Sequence, residues 1–266
     1  MSEYNNKTPL VEMQNIHRYF GRVQALIGVD FTVHNGEIVG LLGDNGAGKS
    51  TLIKVLTGVH PPTKGQIYFE GKPVDISSPQ VARDIGIETV YQDFALIPLM
   101  SIARNFWLGR EPTKPVGPFR FLDIEAMGAG ATHALADVGI TIRDPGEDVG
   151  LMSGGERQSI AIGRAVYFGK KLLILDEPTS ALSVGETRKV QEYVYAAKEK
   201  GMGVIYISHN IGLIHGLADR FTIISHGRKV GDFMKDDVDE EEVANMVMTG
   251  GVPERLRLDA GEEEIQ

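Results

Sequence analysis

Residues Ile38 to Leu42 form an apolar run, GDNGAGKST occupies Gly43 to Thr51, and Thr51 to Leu56 carry helical character up to Gly58, a C-cap candidate. A buried strand that feeds a glycine-rich loop opening directly into a helix leaves few folds available. The segment Gly43 to Ser50 matches GxxxxGK[ST] in the strand-to-helix setting that gives this spacing its meaning. Gly43, Asp44, Asn45, Gly46, Ala47 and Gly48 would wrap phosphate oxygens with backbone N–H groups. Lys49 offers a cation to β and γ phosphates, Ser50 offers a hydroxyl to Mg²⁺, and Thr51 adds a second hydroxyl. A merely structural glycine turn has no use for that lysine and those hydroxyls.

Further apolar strands are expected at Ile85 to Tyr91, Lys171 to Leu175 and Gly203 to Ser208, separated by helical segments such as Val184 to Lys200, which Gly201 stops. Strands that alternate with helices give an α/β fold with a mostly parallel sheet covered on both faces. Upstream, Val11 to Val33 alternates with β-rich pieces, and GQIYFEGKPV reads as a hairpin bent at Gly71. From about residue 93 the text changes: GREPTKPVGPF is rich in proline and glycine, and Ile124 to Val138 has helical character. We take residues 93–168 as a helical subdomain inserted into the α/β core, within one domain over residues 8–251. Residues 252–266 form an acidic tail ending in GEEEIQ.

Composition narrows the partners. The 266 residues carry 27 Lys plus Arg against 36 Asp plus Glu, a net charge of -9, which argues against a general nucleic-acid binder. Cysteine is absent, which removes disulfides, thiolate metal sites and Cys nucleophiles from consideration. No apolar run approaches the roughly 18 residues needed to span a bilayer, so any membrane connection is expected through a partner.

Two more segments and two single residues carry chemistry. LLILDEP, Leu172 to Pro178, delivers two adjacent carboxylates at the end of an apolar strand, where open α/β sheets bind ligands. Asp176 suits Mg²⁺, and Glu177 suits polarising a water aimed at a γ-phosphate. LMSGGERQ, Leu151 to Gln158, fits a capping box between Ser153 and Glu156, with Gly154 and Gly155 leaving the helix N-terminus open to an anion. Alone, such a string is more often only a helix start. Gln92 and His209 each end a strand: the amide oxygen of Gln92 can reach a metal or water, and the His209 imidazole can contact a γ-phosphate and orient Glu177. Each taken singly is more often polar surface or structure.

Taken together, Phe20, GDNGAGKST, Gln92, LMSGGERQ, LLILDEP, SALS at Ser180 to Ser183, and His209 occur in the order and approximate spacing of the ATP-binding cassette ATPases. The chain resembles that family over nearly its whole length. The resemblance implies a P-loop ATPase core using ATP and Mg²⁺, an antiparallel β subdomain near the N-terminus, and a helical subdomain bearing the signature Ser153 to Glu156. It also implies a head-to-tail dimer in which that signature closes on ATP held by a second copy, with Phe20, or the adjacent Tyr19, stacking on adenine. Two positions depart from the common pattern: Glu156 stands where Gln is more frequent, and Ser183 where many members carry Asp.

The run Gly86 to Glu111 resembles bacterial sugar importers of the ribose, xylose and fructose type. That implies a peripheral subunit on the cytoplasmic face of the inner membrane, two copies driving a transmembrane permease, and indirectly an external sugar-binding protein. Asp93 to Arg110, with Phe94, Leu96, Leu99, Phe106 and Trp107, is the expected docking surface, about half of its apolar residues belonging to the subdomain's own core. Two other classes are weighed beside it. A soluble cassette ATPase in iron-sulfur assembly or nucleic-acid work stays open, whereas a small-molecule kinase would leave SGGE and His209 without a task.

Overall fold

The computed structural model describes residues 8–91, 95–137, 139–180 and 182–259. The chain runs β1 (Val11–Phe20), β2 (Val23–Val33), β3 (Ile38–Leu42), α1 (Lys49–Leu56), β4 (Lys64–Phe69), β5 (Lys72–Val74), α2 (Pro79–Asp84) and β6 (Ile87–Val90). It continues through α3 (Ile102–Trp107), β7 (Thr113–Val116), β8 (Phe119–Leu122), α4 (Ile124–Ala136) and α5 (Gly154–Phe168). The final part holds β9 (Leu172–Asp176), α6 (Val184–Glu199), β10 (Gly203–Ile207), α7 (Ile211–Leu217), β11 (Arg220–Ser225), β12 (Arg228–Met234), α8 (Glu240–Thr249) and α9 (Glu254–Asp259).

The strands form an antiparallel sheet in the order β2-β1-β4-β5 and a six-stranded sheet in the order β12-β11-β3-β10-β9-β6. In the larger sheet every pairing is parallel except β11 with β12. In its central strands β3, β9 and β10 every position before Asp176 is buried and almost all are apolar, because both faces are covered. Ile38, Leu42, Leu173, Leu175, Val204 and Tyr206 face the cluster under α5 and α6, while Val39, Leu41, Leu172, Ile174, Ile205 and Ile207 face the cluster shared with α1 and the antiparallel sheet. The alternation along each strand follows the period of two. The α/β P-loop fold with an antiparallel β layer is thus as expected.

Between β6 and β9 the chain is not purely helical. Residues 113–122, whose prolines and glycines suggest only a connecting stretch, form an antiparallel hairpin of β7 and β8 with every residue exposed, Phe119 at 66% and Phe121 at 54%. Around it α3, α4 and α5 pack through Phe106, Trp107 and Phe168, and the Trp107 indole N–H donates to Met127 O at 2.9 Å. Buried Asn105 donates to Ile97 O and Met100 O and accepts the Ile97 N–H, which fixes the loop before α3.

The sequence reading assigns no elements between Ile211 and Gly251, where the structure places α7, β11, β12 and α8. Fully buried Glu37 pairs with Arg220 at 2.7 Å, and Arg220 also holds Asp232 at 2.9 Å, which ties β11 and β12 to the entrance of β3. The expected tail is also partly structured: α9 lies against α8 through Arg255, whose guanidinium donates to both Glu242 carboxylate oxygens. The run from residue 260 to 266 lies outside the described residues.

Candidate functional site

Three neighbouring strands of the larger sheet end side by side, and each delivers one piece of the site. The register pairs Leu41 with Ile207 and Ile207 with Asp176, so the loop after β3, the acid pair after β9 and His209 after β10 share the C-terminal edge of the sheet. The loop after β3 is shaped by close packing. A Cβ on Gly43 would lie 2.2 Å from Ile224 O, and one on Gly48 would lie 2.9 Å from Ala25 O. Residues Asn45 to Thr51, with Ala25 of β2, line a cavity of about 180 Å³.

The helix that opens from this loop differs from its neighbours. Helices α2 to α7 are capped in turn by the side chains of Ser78, Ser101, Asp123, Ser153, Ser183 and Asn210, and α8 by that of Asp239. At α1 the N-cap is Gly48, in left-handed conformation and with no side-chain hydrogen bond. Its first N–H groups are therefore not taken by a cap and stand at the positive end of the helix dipole, which suits a phosphate. Lys49 Nζ donates to Gly43 O at 2.7 Å and to Asp44 O at 3.0 Å across the same loop.

Burial lowers the Lys49 pKa, opposed by the nearby Glu177, Asp176 and Asp44 carboxylates. Burial raises the Asp176 pKa, repulsion from Glu177 adds to the rise, and Lys49 and Lys54 work against it. Lys49, Asp176 and Glu177 thus form a single electrostatic unit, with Asp44 and Lys54 at its margins. Glu177 adopts a left-handed backbone at φ 51°, sparsely populated for a non-glycine residue, and its N–H donates to Ile207 O at 3.0 Å. Glu177 Oε1 lies 2.9 Å from His209 Nδ1, and its side chain is only 15% exposed. Behind them Tyr206 OH sits 3.4 Å from Thr179 Oγ1, and burial pushes the phenol up to about 12.

His209 and Ser208 share a second cavity, about 400 Å³, with Gly43, Asp44 and Asn45, closed on the far side by Val247 and Met248 of α8. This brings the loop and the histidine to one space. Ser50 and Asp176 offer the oxygen donors that Mg²⁺ takes, and no group of three metal-ligating side chains occurs among the described residues. Such a donor set fits an ion that draws its remaining ligands from phosphate and water. Gln92, the other expected metal contact, lies outside the described residues, as do Phe94 and Ala181.

The signature is elsewhere. Ser153 Oγ accepts the Glu156 N–H at 3.2 Å and Glu156 Oε2 accepts the Ser153 N–H at 2.9 Å, completing the expected capping box at the start of α5. Gly155 and Glu156 line a polar cavity of about 450 Å³ with Arg143, Glu186 and Lys189, and none of its residues lines either cavity of the loop after β3. The sequence reading stops at Ser183 and misses Glu186, although Ser183-x-x-Glu186 is itself a legible capping box.

At the end of the β1–β2 hairpin Phe20 is 41% exposed, with the His60 ring edge-on at 5.1 Å and the Arg18 guanidinium 4.6 Å from its centroid. The Tyr19 hydroxyl is engaged by His17 Nδ1 at 2.9 Å. Both candidate rings thus carry contacts of their own, the guanidinium of Arg18 lying over Phe20 and His17 bonded to the Tyr19 hydroxyl.

The profile of the ABC transporter family matches residues 26–180, more than half of the chain. A xylose/arabinose import ATP-binding protein of Sulfolobus acidocaldarius is 44% identical over 238 residues, covering 90% of this chain and 93% of that one. A fructose import ATP-binding protein of Rhizobium meliloti is also 44% identical, over 84% of this chain and 87% of its own. A ribose import ATP-binding protein of Rubrobacter xylanophilus is 40% identical over 96% of this chain, which spans 50% of that longer relative. Among solved structures, an ATP-binding cassette of an ABC transporter in its ADP conformation superposes with a TM-score of 0.75 at 26% identity, covering 96% of this chain and 99% of its own. With a P-loop, an acid pair and a histidine converging on one sheet edge, the chain belongs to the ABC transporter family as one of its ATPases.

Proposed function

We propose that the chain energises import of a monosaccharide of the fructose, ribose or xylose type, as two identical copies working on a transmembrane permease at the cytoplasmic face of the membrane. The observation that carries the two-copy part is the separation of the signature from the loop after β3: one chain holds both halves of a site but does not bring them together. The uncapped start of α1 and Lys49 bind the phosphates, and Phe20 stacks on adenine. Ser50, Asp176 and Gln92 would hold Mg²⁺, which would supply positive charge beside the phosphates. Glu177 takes up the proton of the attacking water, and His209 holds the Glu177 carboxylate in place. Ser153 to Glu156 meets the ATP of the second copy.

The names of the relatives support sugar import, and no helix among the described residues is long and apolar enough to cross a membrane. For docking to the permease, Leu99 is 90% exposed on the loop that Asn105 fixes, whereas Phe106 and Trp107 belong to the interior. Vesicles holding the permease and a candidate binding protein test the reading sugar by sugar. One sugar should stimulate ATP hydrolysis, and no stimulation by any of them would count against import. For Ser153→Arg, nucleotide binding should persist while turnover falls about a hundredfold, because a bulky cation stands where a phosphate must enter. Unchanged hydrolysis in that variant would sink the composite site.

A further inference from the structure

Glu186 has no part in binding or cutting ATP as assigned above, yet one oxygen of its carboxylate is hydrogen-bonded and the other lies close to the signature. One oxygen, Oε2, accepts the Ser183 N–H at 2.8 Å and the Ser183 hydroxyl at 2.7 Å. The other, Oε1, lies against the signature: a Cβ built on Gly155 would sit 1.5 Å from it and 2.2 Å from Glu186 Cδ. Gly155 is not among the glycines with positive φ, so a side chain there would meet the Glu186 carboxylate and displace it rather than strain the backbone.

The chemistry of the contact is coherent. Gly155 lies in the first turn of α5, a helix of 15 residues whose positive end favours an anion. Lys189 and Arg143 line the same cavity, as do two like charges, Glu147 and Glu156, the latter turned back onto Ser153. Ser183 brings no charge of its own to the loop Ser180 to Ser183, and Glu186 sets a carboxylate on its N–H instead.

We infer that Glu186 is a positioning residue that sets Ser183 and the start of α6 against the start of α5, so that the start of α6 and the signature reach the other copy's nucleotide as one unit. This rests on the two-copy site proposed above. Its removal leaves each chain able to hold ATP but misaligns the surface that must close on it.

The test compares Glu186→Ala and Glu186→Gln in the full chain by nucleotide titration, steady-state hydrolysis against ATP concentration, thermal midpoint, and ATP-driven dimer formation in a Glu177→Gln background. In Glu186→Ala, nucleotide affinity and thermal midpoint should stay near wild type while kcat falls about tenfold, the cost of a modest misplacement. Its Hill coefficient should fall to about 1 as the two sites uncouple. Glu186→Gln keeps the length and an acceptor for the Ser183 N–H, and should recover most of the rate. Wild-type kcat and cooperativity in Glu186→Ala overturn the assignment. So does a rate that falls in step with thermal midpoint and nucleotide affinity, which marks a helix cap only. Absence of cooperativity in the wild type, together with absence of ATP-driven dimers in the Glu177→Gln background, overturns the two-copy site, and this inference with it.

Discussion

Replacing Glu177 with Gln should lower ATP turnover by about 10²- to 10⁴-fold, the range for loss of a positioned general base, while ATP binding is retained. The side chain is mostly buried, its backbone is held by Ile207 O, and His209 Nδ1 lies 2.9 Å from the carboxylate. An amide of the same shape keeps these surroundings and loses only the capacity to take a proton. Steady-state hydrolysis beside nucleotide titration separates the two effects, and turnover equal to wild type would refute the role. The dimer should also persist longer with ATP, since the step that ends it is slowed.

The second large effect is expected at Lys49. Its ammonium is partly buried near Glu177, Asp176 and Asp44, so Lys49→Ala removes the cation that acts on all three and leaves those carboxylates beside an anionic ligand. A hydrogen bond to a charged group contributes about 1.5–3 kcal/mol, so losing two such contacts to the phosphates lowers ATP affinity by about a hundredfold or more. Repulsion from Asp176 and Glu177 deepens the loss. Titration with a fluorescent ATP analogue measures it, and wild-type affinity would remove Lys49 from the site.

What the sequence reveals depends on how local the cause is. Ile38 to Leu42 and Leu172 to Leu175 are legible as strands because both faces are buried and every position must be apolar. The loop after β3 is legible because its spacing encodes its own chemistry. The hairpin at 113–122 is hidden, since Pro115 and Pro118 break any strand pattern, and proline is tolerated there only because a two-stranded ribbon has free edges. Phe106 and Trp107 look the same in sequence whether they face a partner or the interior, and only the packing of α3 on α5 decides. The contact of Glu186 with Gly155 joins residues 31 positions apart, 186 minus 155, and no local pattern announces it.

The missing side-chain cap at α1 also has a consequence for how well the protein resists unfolding. A helix start without a cap is a standing deficit in folding free energy, which phosphate oxygens offset when they dock. At a nucleotide concentration about 100 times Kd, binding adds about 2.7 kcal/mol to stability against unfolding. Stripping the subunit of nucleotide should therefore lower its thermal midpoint and make it easier to cleave by protease.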